Sequence, residues 1–251
     1  MRSILLAAIL WAGAQGVAAQ SQNGALPELP SADIYVLGEI HDNPTHHVAQ
    51  AALVTAIAPR ALVMEMLTDV QAARITSETP RDAATLDDLL DWSEGGWPDI
   101  AMYAPIMVAA GGAPVRGASG EAGDLRAFGL DAPLPPGEQA AREALQQAAH
   151  CDGLPEGMLP EFVGRQRFMD ALFASRTIEA YDQFGGPVVL IAGNGHARSD
   201  WGVPAAIARV RPDLSVVSVI QSEPGQEILP GDVALTAEPP ADRPDPCDAF
   251  R

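Results

Sequence analysis

The chain has 251 residues, enough for one large domain or a main domain with a smaller partner. Hydrophobic residues make up 47%, within the globular range, which excludes wholesale disorder. The net charge is -18, from 33 acidic and 15 basic residues, and every strong base is Arg, with no Lys. Such a field repels phosphate backbones and anionic headgroups, so neither nucleic acid nor a membrane surface is expected as the main partner. An anionic ligand needs a local cluster of Arg.

At the start of the chain, Arg2 supplies a positive segment, Ile4 to Ala14 an apolar one, and Val17-Ala18-Ala19 a small-residue cleavage site. Residues 1–19 read as a secretory signal peptide cut after Ala19. The alternative, a membrane anchor, has too short an apolar run, since spanning takes about 20 residues. The mature protein is expected in the periplasm, without stable membrane insertion. Residues 20–32 form a polar, Pro-containing leader.

Ile34 to Leu37 is a short apolar run stopped by Gly38, the pattern of a buried strand. Asn43-Pro44 has the form of an N-cap with Pro at the first helical position, opening a helix over 44–57 that Pro59 ends. Ala61 to Met66 is a second buried strand, and strand–helix–strand within about 30 residues is a βαβ unit with parallel pairing. The middle reads as helical: 86–92, 99–110, 138–149 and 159–184, with one strand over 114–118. Strand 188–192, a tight loop 193–196, helix 204–209 and strand 214–220 follow.

The fold class is therefore α/β, with a mainly parallel central sheet flanked by helices and a helical subdomain inserted between strands. The domain covers 33–222, the insertion about 82–184, and a Pro-rich tail 223–251. Cys151 and Cys247 are the only cysteines, and export favours a disulfide that ties the tail to the body; the alternative is two unpaired thiols.

Four of five histidines follow apolar strands, in Gly38-Glu39-Ile40-His41-Asp42-Asn43-Pro44-Thr45-His46-His47 and in Gly193-Asn194-Gly195-His196. In open parallel sheets that strand end is where ligand sites form. Glu65 lies near the same end of the second strand, so Glu39, His41, Glu65 and His196 are expected to converge. A divalent transition metal on His41, His196 and Glu39 would leave a second carboxylate as general base, although the spacing is no standard zinc motif. His46 and His47 sit in a first helical turn, where the dipole favours neutral imidazole. They read either as ligand-binding groups or as surface hydrogen-bond partners. Gln166 and Asp170 share a helix face, and Asp170 is a candidate partner for a ligand histidine. Arg165, Arg167 and Arg198 are candidate anchors for a carboxylate ligand, or plain surface charges.

The two histidine blocks, with Gln166-x-x-x-Asp170-x-x-Phe173-Ala174, resemble the signature blocks of the ChaN haem-binding uptake family, within the Tiki and erythromycin-esterase superfamily. The likeness runs from about residue 30 to 220. It implies an α/β sheet with a helical subdomain, haem as cofactor and a role in haem or iron uptake, with a homodimer enclosing the ligand as one arrangement. The wider superfamily implies, as the alternative, a metal-dependent esterase or peptidase using Glu39, His41, Glu65 and His196. Tyr103 is the axial-ligand candidate for haem, against a core aromatic with a satisfied hydroxyl. Phe173 departs from the Met expected there, and no lipoprotein Cys supports a membrane tether.

Overall fold

The structure, a computed structural model, describes residues 26–245 and 247–248. The expected signal peptide and residues 20–25 of the leader lie outside the described residues. In chain order the elements are β1 (Ile34–Glu39), α1 (Pro44–Ile57), β2 (Ala61–Thr68), α2 (Asp69–Ala72), α3 (Ala83–Leu90), α4 (Ile100–Ala109) and β3 (Val115–Ser119). Then come α5 (Pro136–Ala149), α6 (Leu159–Phe184), β4 (Val188–Gly193), α7 (Asn194–Ala197), α8 (Val203–Val210), β5 (Val216–Ser222) and β6 (Val233–Thr236).

The six strands form one all-parallel sheet in the order β3-β2-β4-β1-β5-β6. Successive side chains of a strand point to opposite faces. Tyr35, Leu37, Leu62, Met64, Val189 and Ile191 therefore build one core with α1 and α4, while Ile34, Val36, Val63, Val188 and Leu190 build the other with α6 and α8. Burial on both faces explains why β1 and β4 are apolar runs rather than alternating ones. The crossovers follow from handedness. Steps toward β3 place α1 and α4 on the first face, and steps the other way place α6 and α8 on the second. The inserted helices thus coat the two faces of the sheet.

Asn43 caps α1 through Oδ1, which accepts from the Thr45 N–H at 3.0 Å, with Pro44 in the first turn as expected. Both histidine-bearing strands run one or two residues past the expected ends. Gly38 does not stop β1; it pairs with Ala192, and a Cβ there would lie 2.4 Å from Asn194 Oδ1 and 2.8 Å from the Val219 carbonyl. Its role is close approach. The expected loop at 193–196 closes as the single helical turn α7. A sixth strand, β6, arises inside the segment read as tail and pairs with β5. Cys151 and Cys247 form the expected disulfide. Among the described residues no helix is long and apolar enough to cross a membrane.

Candidate functional site

The connections leaving the neighbours β2 and β4 diverge, which makes their C-terminal ends the switch point of the sheet. Glu39 closes β1 beside Gly193, which closes β4, and Glu65 follows the pair Met64–Ile191 on β2. Three strand ends therefore deliver the site.

Glu39 is 2% exposed, and a carboxylate so deep needs partners. Its Oε1 accepts from His41 Nδ1 and from the Tyr103 hydroxyl, both at 2.8 Å. Its Oε2 faces His47 Nδ1 at 3.5 Å, beyond good hydrogen-bond reach for both atoms. Burial alone would raise the Glu39 pKa, but the His41 hydrogen bond and the charges of His47 and His41 hold it below its ordinary value. His47 donates from Nε2 to the His41 carbonyl at 2.9 Å, and His46 accepts the Ile40 N–H on Nδ1 at 3.0 Å. His46 is wholly buried, and burial lowers its pKa, so it is a neutral brace of the loop.

On the β4 side, the Gly193 N–H donates to Glu65 Oε2 at 2.7 Å. Glu65 Oε1 lies 3.6 Å from His196 Nε2, and His196 Nδ1 lies 2.7 Å from Asp170 Oδ1, with Gln166 Nε2 at 2.9 Å. Two imidazoles thus share one plan: each turns Nδ1 onto a buried carboxylate. Burial opposes both imidazolium forms, yet the hydrogen bond that His41 donates to Glu39, the one that His196 donates to Asp170, and the Glu65 charge acting on both raise both pKa values. Glycine matters at 193, where a Cβ would lie 2.9 Å from His41 Nε2.

Glu39, His41, Glu65 and His196 converge on one rim, and Asp170 joins them through His196. His46 and His47 are buried and hold the loop, so the surface placement considered for them is corrected. Tyr103 is fully buried against His47 and Trp92, at ring-centre distances of 4.4 and 4.9 Å, with its hydroxyl on Glu39. Arg198 is buried and clasped by Asp200 at 2.6 and 2.8 Å over the Trp201 ring. Among the described residues no three His, Cys, Asp or Glu side chains are disposed to share a metal ion. Glu39 stands behind His41 as its hydrogen-bond partner, not beside it as a co-ligand.

His41, over a third exposed, opens onto a cleft of about 930 Å³. Leu145, Val163, Ile220 and Leu229 supply apolar wall, and Arg142, His150 and Arg198 polar wall. No pattern in the sequence marks His150, which reaches the cleft beside the disulfide at Cys151, or the brace from the tail. Arg243 bonds Glu223 and Asp42, both at 2.7 Å, and Asn43 donates to Glu223 at 2.8 Å and to the Glu238 carbonyl at 3.0 Å.

The family model described as haem-binding uptake, Tiki superfamily, ChaN matches residues 25–121 and 117–207. Among solved structures, the chain is similar to ChaN of Campylobacter jejuni, described by its cofacial haem binding, with 20% identity and a TM-score of 0.63, over 80% of this chain and 86% of that one. It is also similar to the type III effector HopBA1, with 16% identity and a TM-score of 0.44, over 83% of this chain and 88% of that one. A Bacillus cereus protein shows 14% identity and a TM-score of 0.39, over 80% and 70%. No curated protein matches the chain.

Proposed function

The chain belongs to the ChaN haem-binding uptake family of the Tiki superfamily, and we propose that it binds haem in the cleft beside His41, in service of haem or iron uptake at the cell envelope. The observation that carries this reading is the cleft: a space of about 930 Å³ with apolar walls, the imidazoles of His41 and His150, and two arginines. That volume lies near the upper end of small-molecule sites, and the donor set fits an iron porphyrin with acidic side chains. Bound haem supplies an iron centre that takes an axial imidazole or phenolate. His41 suits that role, because donation from Nδ1 to Glu39 leaves Nε2 as the basic nitrogen and fixes the ring. Tyr103 would first have to release Glu39 and leave the core. Arg142 and Arg198 are the cations within reach of the propionates.

Haem titration of the purified protein tests the reading through a saturable Soret shift. His41→Ala weakens it and Tyr103→Phe retains it; no saturable shift in the wild type defeats the proposal. Light scattering with and without haem tests the homodimer. The disulfide supports an oxidising compartment, and the mass of the mature N-terminus tests cleavage after Ala19.

A second reading, a hydrolase, is favoured by one observation: two carboxylate-backed imidazoles facing Glu65. Such a pair can pass a proton to and from a substrate. An ester and peptide panel, with elemental analysis of the same sample, tests it. Glu65→Gln must abolish any activity found.

A further inference from the structure

We propose that a second cleft, which Asp170 also lines, binds a small organic acid: a carboxylate or phosphate head on a short apolar body. The cleft measures about 320 Å³, at the small end of ligand sites, and lies between the loop 128–135, α5, α6 and α8. Three guanidinium groups from three helices line it: Arg142, Arg167 and Arg209.

Two of the three have no carboxylate partner among the described residues. Arg142 pairs with Glu138, 3.0 Å from Nε. Arg167 donates only to the backbone carbonyls of Gly129 and Ala132, at 2.7 and 2.9 Å. Arg209 rests against Gly129, and among the described residues neither it nor Arg167 has a carboxylate partner. Of the other acids of the cleft, Asp200 is committed to Arg198, and buried Asp170 bonds His196 through Oδ1 while its Oδ2 has no hydrogen-bond partner. Burial first, then the charge of Arg142, depress the Arg167 pKa; Glu138 opposes them in part, and Arg209 adds to the depression.

A chain of net charge -18 has surplus carboxylates to spread over such a cluster, yet two of its fifteen bases stand here unpaired. Arginine forks match carboxylate and phosphate geometry. Phe128, Leu130, Pro133 and Ala206 line the rest, which selects an apolar body over a bare inorganic ion. Trp201 and Arg142 form the wall shared with the larger cleft.

Calorimetric titration of the haem-free full chain with hexanoate, phenyl phosphate and inorganic phosphate tests the site. One of the first two binds saturably, and which one identifies the head group; inorganic phosphate binds more weakly. Arg209→Gln, an exposed position with no partner to lose, weakens binding at least about tenfold, the effect of one charged hydrogen bond. Arg211→Gln, on the exposed pair with Asp213, leaves it unchanged. Absence of saturable binding by both organic probes at millimolar concentration overturns the proposal. So does an Arg209→Gln variant that binds as wild type while its melting temperature is unaltered.

Discussion

Asp170 and His196 meet Oδ1 to Nδ1 at 2.7 Å, although one sits on the long helix α6 and the other in the turn after β4. Both side chains are nearly closed to solvent, at 4% and 13%. Removing one partner of a buried pair strands the other, at a cost of about 3 kcal/mol. Asp170→Asn is therefore expected to lower the melting temperature and to bring the His196 pKa down toward its ordinary value. Proton NMR titration of the ring reads the second effect, which simple loosening of the core would not produce. An unmoved His196 titration would show that Asp170 does not govern it.

The site also sets a pH profile. The Glu39 carboxyl is depressed below its ordinary 4.5, so its contribution to stability is present above that pH and lost as pH falls through the folded value. His41 and His196 are raised above 6.5, so theirs is present below that pH and lost as pH rises through the folded values. Stability is expected to peak between 4.5 and 6.5, with both arms visible in urea midpoints. His196→Gln should flatten the alkaline arm. A wild-type midpoint that climbs steadily past neutrality would contradict this.

Gly193→Ala separates site geometry from stability. The new methyl meets the far end of the His41 ring at 2.9 Å, so the ring shifts by a few tenths of an ångström while the sheet stays intact. Haem affinity should fall with little change in melting temperature. Gly38→Ala meets Asn194 and a backbone carbonyl instead, and should lower stability first.

The bridge between Cys151 and Cys247 spans a sequence separation of 96. The chain-entropy model gives about 4–5 kcal/mol for such a loop, as an upper figure. The double variant Cys151→Ser/Cys247→Ser should unfold at lower denaturant concentration and become insensitive to reductant, whereas the wild type loses stability on reduction. Equal midpoints for oxidised and reduced wild type would show that the tail contributes nothing.

The sheet and the meeting of the two histidine blocks were legible because both rest on local pattern: apolar runs that only a doubly covered parallel strand tolerates, each followed by glycine and histidine. Asp170 was legible from helical spacing with Gln166. What escaped depends on distant parts of the chain. β6 is four residues amid Pro and Gly, too short to stand out, and is a strand only because β5 offers it an edge. The burial of His47 and Tyr103 depends on α4 packing over α1, and no periodicity reports that. The place of Glu39 behind His41 escaped for a related reason: composition counts donors but does not say how they are arranged.

The clasp from Arg243 to Asp42 and Glu223 joins residues 201 and 20 positions apart. The loop after β1 thus takes its final shape only when a segment some two hundred residues downstream has been made and has docked, so the order of synthesis and the order of assembly differ here.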